Sequence, residues 1–558
     1  MYDIRLLLDS SRFDPSPSGQ TRIALIHQSF RLVSLRRGVN RQSFAAHFPG
    51  LGLLNIAHAL RINNKLTRSN RLEIKYFDEE SYDDDSELFS DVTDWLSVVS
   101  RRIVATSSYT PTIDHLETFL SKFDPTLFLI VVGGAHVTVA PKIDHAHIVV
   151  RGEGGSAMCH IVSNFYSGGF GDSSIGICHK LNGVEVIHKS AFDRSMEVLP
   201  PPCFAYDLLP VPGDRRPVYS TNFTRMLGDH PQIYVCTQSC IARCTFCSTY
   251  LIHGTTVARP LSKVKEDLEY LVKDLGHDSI EFHDDDLLQH PDLDGILEIL
   301  ENLNVSWFCY ARADEVSGEL AHKMAGAGCK RIFLGIESMH QVTLDYYNKG
   351  TTTEENQHAA EQLHAAGIGV VAGFMIGAPH DNIESILSDL DRYLELPLFA
   401  INCSILSPDP GTVEFYRAQK KGGDFTNVGV GKGKNLQFRP NPELYGIDAP
   451  MGIPAVCNHL TKGDLSDLIK LIDAEFYLRE NTWRGLTRNR SSNQIRTIKA
   501  YYQYVTMGLH SLYTSCSSPI IRARAEQLKT RINPEKWFKM LNADVNSYET
   551  EMENYSSL

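Results

Sequence analysis

The first part of the chain alternates between short apolar runs and segments with the three-to-four-residue apolar spacing of amphipathic helices. Segments with helical spacing lie at residues 49–60, 91–100 and 112–123. The apolar runs have the length of strands and lie at residues 21–30, 72–77, 102–107, 127–132 and 148–150. Strands that alternate with helices predict a parallel, doubly wound sheet, in which ligands bind beyond the carboxyl ends of the strands.

Residues 231–418 repeat the strand–helix pattern with a period of about thirty residues. Strand-like runs lie at residues 232–236, 278–284, 305–311, 330–338, 369–376 and 399–404. Such repeats predict a partial barrel, and the chemistry of barrels lies at the carboxyl ends of their strands. Polar side chains follow the strands at those ends, namely Asp284, Asp285, Arg312, Glu337 and Ser338.

The two strand-rich parts are joined and followed by segments of different character. Residues 196–230 are rich in proline and lack periodicity, which predicts a linker. Helical spacing returns at residues 462–479, 492–512 and 519–541, and we predict a helical cap over the barrel mouth. The predicted fold class is therefore α/β, with a Rossmann-like domain at 1–195, a linker at 196–230, a partial (β/α)6 barrel at 231–418 and a helical region at 419–558.

The composition of the chain limits which binding partners and which cellular compartment we expect. The 558 residues carry a formal net charge of −13, and no dense basic run appears, so we expect no nucleic-acid partner. Most of the twelve cysteines are scattered in apolar contexts, which suits a reducing compartment. No apolar run has the length of a membrane span, and the N-terminus lacks the pattern of a signal peptide. We therefore expect a cytoplasmic protein without a membrane span.

The strongest chemical signal is the run of Cys240, Cys244 and Cys247. Thiolates are soft ligands that suit iron–sulfur clusters or zinc. A 4Fe–4S cluster normally has four cysteine ligands, so three local cysteines leave one iron open for another ligand. The alternative is a structural zinc site, for which Cys236 or His253 could supply the fourth ligand.

The cysteine run and the barrel segments around it resemble the radical S-adenosylmethionine (SAM) superfamily. The resemblance implies that SAM binds the open iron and that Phe246 packs near its adenine. It also implies that Arg312 and Glu337 help to hold the ribose and the methionine carboxylate, although a structural ion pair between them is the alternative. The remaining residues that the resemblance assigns to SAM are Asp285, Ser338, Gly377 and Leu406.

The N-terminal pieces resemble the cobalamin-binding domain that precedes the barrel in some radical SAM enzymes. The matching segments are residues 49–54, 106–108, 133–138 and 151–154. No Asp-x-His-x-x-Gly motif is present, so His136 is not assigned to cobalt, and we expect base-off cobalamin without a histidine ligand. The residues that the resemblance places at cobalamin are Leu51, Gly52, Thr106, Ser107, Gly133, Gly134, His136, Thr138, Gly152, Glu153 and Gly154.

The resemblance implies a cobalamin-dependent radical SAM methyltransferase, which moves a methyl group from SAM by way of methylcobalamin to a carbon of its substrate. One alternative is a cyclase or another rearranging enzyme with the same domains, and another is a cobalamin or cluster sensor without turnover. The expected partners are a small-molecule or peptide substrate and an electron donor such as flavodoxin or ferredoxin.

One carboxylate stands apart from this pattern. Glu281 occupies a strand position where an apolar residue is expected, and a buried carboxylate needs a partner. It either reaches the open iron and competes with SAM, or it pairs with a neighbouring cation inside the barrel.

Overall fold

The computed structural model describes residues 1–8, 20–28, 50–63, 72–164, 173–192, 205, 207–209, 227–420, 457–487 and 492–532. The described strands form two large sheets, and the described C-terminal residues are helical. This confirms the predicted α/β fold class. Among these residues, no helix combines the length and the apolar character that a membrane span requires.

The N-terminal sheet has seven strands in the order β2-β1-β3-β4-β5-β6-β7. These are β1 (Thr21–His27), β2 (Leu72–Asp78), β3 (Arg101–Ser107), β4 (Leu129–Gly133), β5 (Ile148–Val150), β6 (Ile177–Leu181) and β7 (Val184–Val186). Strands β1 to β5 are parallel, and β6 and β7 add an antiparallel hairpin. The chain changes direction across the sheet between β1 and β3, which is where doubly wound sheets bind ligands.

Helices cover both faces of this sheet. They are α1 (Arg5–Leu8), α2 (Leu51–Ile62), α3 (Asp85–Ser97), α4 (Ile113–Leu120), α5 (Ala135–Val139) and α6 (Gly154–Asn164). Because side chains alternate along a strand, Ile23 and Leu25 of β1 join one core with α2 and α6. Ala24 and Ile26 join the opposite core with α3 and α4. Burial of both strand faces explains why β1 is an apolar run without polar alternation.

The second sheet has six parallel strands in the order β15-β14-β13-β12-β11-β8. The strands of this half are β8 (Pro231–Tyr234), β9 (Thr237–Gln238), β10 (Val257–Ala258), β11 (Ser279–Phe282), β12 (Ser306–Ala311), β13 (Cys329–Glu337), β14 (Gly369–Ile376) and β15 (Ala400–Ile405). Sequential neighbours pair throughout the six-stranded sheet, and its end strands β8 and β15 each have a single partner. The sheet is therefore a partial barrel, as predicted.

The barrel helices connect successive strands. They are α7 (Thr249–His253), α8 (Leu261–Glu269), α9 (Leu293–Leu303), α10 (Gly318–Gly326), α11 (Gln341–Tyr346), α12 (Thr353–Ala365), α13 (Ile383–Glu395) and α14 (Val413–Lys420). Capping boxes begin α12 at Thr352 and α13 at Asn382 and satisfy backbone N–H groups at these helix starts.

The described C-terminal helices continue the outer layer of the barrel. They are α15 (Lys462–Tyr477), α16 (Glu480–Thr487), α17 (Ser492–Ser515) and α18 (Pro519–Ile532). Leu465 and Leu468 of α15 share the barrel core, and the Tyr477 hydroxyl donates a hydrogen bond to the Ile401 carbonyl of β15. Helix α15 thus packs against the last strand, and a cap over the barrel mouth stays a prediction.

Part of the predicted linker packs on the N-terminal sheet. Ala205 is fully buried in the core that contains α2 and α6, and Leu208 and Leu209 pack against it. Both Asp207 oxygens accept hydrogen bonds from Arg61 of α2, at 2.7 and 2.9 Å. Residues 193–204 lie outside the described part, so the domain boundary at residue 195 stays a prediction.

Candidate functional site

The three cysteines lie in the loop between β9 and β10, which pair with each other and close the base of that loop. Two carboxylates at the end of β11 fix it further. Asp284 Oδ1 accepts hydrogen bonds from the backbone N–H groups of Cys236, at 3.0 Å, and of Thr237. Asp285 accepts from Ser239 N at 2.9 Å and from the Thr249 hydroxyl at 3.0 Å, so it joins the two ends of the cysteine loop.

The arrangement of the cysteines fits a cluster better than a single zinc ion. Cysteine sulfurs around one zinc each lie about 2.3 Å from the metal, which brings them close together. In the described part of the chain, the sulfurs of Cys240, Cys244 and Cys247 do not all lie within 4.8 Å of one another. In a cubane cluster each cysteine binds a different iron, so wider spacing is required.

The two residues that could complete a zinc site are engaged elsewhere. Cys236 is fully buried, and burial, followed by the charge and hydrogen bond of Asp284, raises its pKa well above the ordinary value. His253 faces Glu153, with Nδ1 3.9 Å from a carboxylate oxygen. The three-cysteine set therefore stands without a fourth protein ligand among the residues we considered for that role.

A small apolar cluster lies beside the cysteine loop. The ring of Phe246 meets Tyr347 edge-on, with centroids 5.3 Å apart. Both rings pack with Leu406, Met375 and Ala378 in this cluster. The predicted residues Phe246 and Leu406 are thus brought together next to the turn at Gly377, and the partly buried Phe246 ring gives the cluster an aromatic surface.

Glu337 has an unusual backbone conformation at the end of β13. Its φ is +64°, a left-handed value that is uncommon for a residue with a side chain and that clusters at functional sites. Its carboxylate lies 3.7 Å from Lys349 Nζ, and both side chains are mostly buried. A Cβ at Gly335 would lie 2.8 Å from that ammonium, and one at Gly373 would lie 3.2 Å from Glu337 Oε2. The two glycines therefore make room for the pair.

Arg312 does not pair with Glu337. Its Nη2 donates to Asp314 Oδ2 at 2.9 Å and to the Lys349 carbonyl at 2.8 Å. The alternative of an Arg312–Glu337 ion pair is therefore wrong, and Lys349 instead connects the two residues. Arg312 also interacts electrostatically with Cys244 and Cys240, which places its positive charge near the cysteine loop.

Ser338 and Gly377 use their hydrogen-bonding groups within the protein. The Ser338 hydroxyl donates to Asp389 at 2.6 Å and ties the end of β13 to α13. The Gly377 N–H donates to Asp381 Oδ2 at 2.8 Å and fixes the turn after β14. These contacts give both residues a role in shaping the strand ends, and their contact with SAM stays a prediction.

Glu281 is paired inside the barrel. It is 3% exposed, and its Oε1 lies 2.9 Å from Nε2 of His283. Of the two alternatives for this residue, the geometry supports a pair with a neighbouring side chain.

A cavity of about 770 Å³ lies between the N-terminal sheet and the barrel. This volume is typical of sites for small molecules and cofactors. Ten of the eleven residues predicted for cobalamin line it: Leu51, Gly52, Thr106, Ser107, Gly133, Gly134, Thr138, Gly152, Glu153 and Gly154. The barrel side contributes Val235, Thr237, Gln238, Ile252, His253, Arg259, His283 and Asp285.

Two glycines that line the cavity have backbone conformations and close contacts that exclude a side chain. Gly134 has φ +96°, and a Cβ there would lie 2.6 Å from the Ser108 nitrogen. Gly152 has φ +93°, and a Cβ there would overlap with the carbonyl oxygen of Ala191. These positive φ values favour glycine, and the resulting tight turns leave the strand ends open to a bulky ligand.

His136 is the one predicted cobalamin residue that does not line the cavity. It is 1% exposed in α5, and its Nδ1 lies 3.1 Å from the Thr110 hydroxyl. Burial lowers its pKa to about 4, so the ring is neutral at pH 7. Its role is to pack α5 against the segment that follows β3.

Residues 234–421 match the family model of the radical SAM superfamily. The chain carries a radical SAM domain. The matched residues include the cysteine loop and the ends of the barrel strands β11, β12, β13 and β14, and the domain begins within β8.

Relatives and solved structures extend the resemblance to the sheet that precedes this radical SAM domain. The chain is 27% identical to an uncharacterized methyltransferase of Pyrococcus horikoshii over 361 residues, which are 63% of this chain and 72% of that protein. It is 25% identical to the anaerobic magnesium-protoporphyrin IX monomethyl ester cyclase of Cereibacter sphaeroides over 414 residues, 69% of this chain and 61% of the cyclase.

The structure of the cobalamin-dependent SAM radical enzyme OxsB, with aqua-cobalamin and SAM bound, has the same fold. It superposes with a TM-score of 0.62 at 15% identity and covers 95% of this chain and 81% of its own. The resemblance to cobalamin-dependent radical SAM enzymes, inferred from sequence, is confirmed at the level of the fold.

Sequence reasoning missed three residues that the structure brings to the site. Lys349, which lies beside Glu337, received no role from sequence. His253 was considered only as a zinc ligand, although it lines the cavity. Gln289 donates to the Cys240 sulfur at 3.5 Å from 49 positions away, and a lone glutamine gives no signal in sequence.

Proposed function

We propose that the protein is a cobalamin-dependent radical SAM methyltransferase that methylates a carbon of a small molecule or peptide. In this proposal Cys240, Cys244 and Cys247 hold a 4Fe–4S cluster, and the cavity between the sheet and the barrel holds cobalamin. When bound, the cluster would supply the electron for reductive cleavage of SAM, and cobalamin would supply the methyl group.

The observation that carries the proposal is the position of Asp285. Its carboxylate joins the two ends of the cysteine loop and also lines the cavity. The space assigned to cobalamin and the loop assigned to the cluster are therefore separated by a single side chain. Such closeness is what a transfer between two bound groups requires, since reacting atoms must be held in near contact.

The cavity lining supports a base-off cofactor without a histidine ligand. Among the described residues, the lining contributed by the N-terminal sheet and its helices includes no histidine, because His136 packs away from the cavity. The two lining histidines, His253 and His283, belong to the barrel side. The tight turns at Gly134 and Gly152 let the backbone approach the ligand closely.

The protein residues around the cysteine loop would position SAM. Phe246, backed by Tyr347 and Leu406, offers an apolar surface for the adenine. The Lys349–Glu337 pair and Arg312 lie at neighbouring strand ends and offer opposite charges for the ribose and the methionine carboxylate. Burial of this network keeps water from the site, which favours radical chemistry.

The test is turnover of the anaerobically reconstituted protein with SAM that carries a deuterated methyl group, a reductant and extracts of candidate substrates. We expect a product in which a trideuteromethyl group replaces one hydrogen of the substrate, together with S-adenosylhomocysteine and 5′-deoxyadenosine. A substrate-dependent product without the label would overturn methyl transfer.

A second candidate is a cyclase, which the 25% identity to the Cereibacter cyclase favours. The same experiment separates the two, because a cyclisation changes the product by loss of hydrogen and leaves the label on the methionine that is released when SAM is cleaved. An electron donor such as flavodoxin or ferredoxin would reduce the cluster in either case.

A further inference from the structure

Beyond the cysteines, one side chain reaches the sulfur of Cys240. Gln289 closes the short helical turn at residues 287–289 that follows β11, and its Nε2 lies 3.5 Å from Cys240 Sγ. The backbone N–H of Ala242 lies 3.4 Å from the same sulfur. Cys240 therefore accepts one hydrogen bond from the loop itself and one from outside it.

The orientation of the Gln289 amide is fixed on both sides. Its Oε1 accepts the backbone N–H of Ile241 at 3.0 Å, which requires the oxygen on that side. Its Nε2 donates to Asp286 Oδ2 at 2.8 Å, which requires the nitrogen on the other. A flipped amide would lose both bonds, so the N–H group must face Cys240 and Asp286.

The position of Asp286 is fixed by its own surroundings. It is fully buried and interacts with Glu315. Burial and then the charge of Glu315 raise the pKa of Asp286 to about 9, so Asp286 keeps its proton at neutral pH. A neutral Asp286 keeps one oxygen as an acceptor for Gln289 without adding a full negative charge behind the cluster.

We infer that Gln289 is a positioning residue that raises the reduction potential of the cluster through its hydrogen bond to the Cys240 sulfur. The inference rests on the proposed function, since it requires the cluster. Reduction adds negative charge to the cluster and its thiolates, and N–H donors to sulfur stabilise the more negative state. The Gln289 amide supplies such a donor from a rigid, doubly anchored position.

Two variants distinguish an effect of Gln289 on the reduction potential from a role in which Gln289 only supports the cysteine loop. Gln289→Met removes both the donor and the acceptor of the amide at similar length. Gln289→Glu keeps an acceptor for the Ile241 N–H and replaces the N–H group that faces Cys240. Gln357→Met is the matched control, because Gln357 is exposed on α12 and bonds only to Glu361 in its own helix.

The experiment is a potentiometric titration of the cluster, followed by electron paramagnetic resonance, in anaerobically reconstituted protein without SAM or substrate. We expect both Gln289 variants to lower the ratio of reduced to oxidised cluster at a fixed potential about tenfold, which corresponds to about 59 mV for one electron. The control should titrate like the unaltered protein.

Equal potentials in all four proteins would overturn the inference. So would a shift in Gln289→Met alone, or loss of the cluster from both variants, since either assigns Gln289 to holding the loop. If the unaltered protein assembles no four-iron cluster, the proposed function fails with it, and iron analysis before the titration distinguishes that outcome.

Discussion

Glu153 and His253 face each other across the cavity, with Oε1 of the carboxylate 3.9 Å from Nδ1 of the ring. Glu153 follows the last parallel strand of the N-terminal sheet, and His253 ends the helix that follows Cys247. The contact therefore links the loop proposed for cobalamin to the segment proposed for the cluster. The electrostatic interaction between Glu153 and His253 therefore contributes to the relative placement of the two proposed sites.

Removal of the Glu153 charge should lower the pKa of His253. Burial acts to lower this pKa, but the interaction with Glu153 and the charge of Asp285 outweigh it, so the pKa lies above its ordinary value. In Glu153→Gln the neutral amide stabilises the imidazolium less, and the pKa should fall. Nuclear magnetic resonance titration of labelled histidine measures the pKa of His253.

The control is Glu185→Gln, which removes a distant carboxylate near Lys142 and should leave the pKa of His253 unchanged. A pKa of His253 that is equal in Glu153→Gln and the unaltered protein would refute the link.

Single cysteine variants should separate ligands from bystanders. Alanine at Cys240, Cys244 or Cys247 removes a thiolate from a set of three, so iron and sulfide should fall to a small fraction of the unaltered content. Cys236→Ala should keep the cluster, because Cys236 is buried against Asp284. Iron and zinc analysis of reconstituted protein measures both. Loss of metal from Cys236→Ala, with zinc in the unaltered protein, would instead support a four-ligand zinc site.

The turn at Gly152 should not tolerate a side chain. An alanine Cβ would overlap with the Ala191 carbonyl, and φ +93° is strained for any residue with a Cβ. We expect Gly152→Ala to destabilise the protein by at least about 1–3 kcal/mol, as measured by urea unfolding.

Gly326→Ala in α10 is the control, since a Cβ at position 326 would meet no atom within 4 Å. Helical alanine there should be neutral or stabilising by about 0.5–1 kcal/mol. Equal destabilisation of both variants would contradict the account.

Asp284 should make stability fall as the pH rises from about 4 to about 6. Burial raises its pKa to about 6 in the folded state, above the ordinary value of 3.8. The folded protein then binds the proton more tightly, so this contribution is fully present below pH 3.8 and is lost as the pH rises through about 6. The difference of about two pKa units corresponds to on the order of 3 kcal/mol.

Asp284→Asn isolates this effect. The backbone N–H groups of Cys236 and Thr237 and the Thr237 hydroxyl all donate to Oδ1, which an asparagine oxygen can replace. The stability of the variant relative to the unaltered protein should therefore increase between pH 4 and pH 6 in denaturant titrations. Parallel pH dependences would show that Asp284 does not titrate in this range.

Much of the fold could be predicted because periodicity is local. The strand at Gly369–Ile376 has the predicted bounds, and the five parallel strands of the N-terminal sheet lie where the apolar runs do. The hairpin of β6 and β7 was missed, because Val184–Val186 is short and mostly exposed and so carries no apolar pattern. Strand pairing of that kind depends on distant partners that periodicity does not reveal.

The site was predicted less completely for the same reason. Cysteine spacing is a local signal and pointed to the loop proposed for the cluster, and the resemblance to the cobalamin-binding domain named ten residues that line the cavity. The links from Lys349 to Glu337 and from Gln289 to Cys240 join residues that only the barrel topology brings together. His136 belongs to a predicted segment but turns inward, because α5 places its ring beside Thr110.

The most direct test of the central claim is equilibrium binding of hydroxocobalamin to anaerobically purified protein whose cluster has been reconstituted. Gly133 lies in the cavity wall, and a Cβ there has no atom closer than 3.9 Å, so Gly133→Val should fold and fill the cavity. We predict that the unaltered protein binds one cobalamin in a base-off state, and that Gly133→Val keeps its iron but loses cobalamin. Absence of binding by the unaltered protein, or undiminished binding by Gly133→Val, would contradict the account.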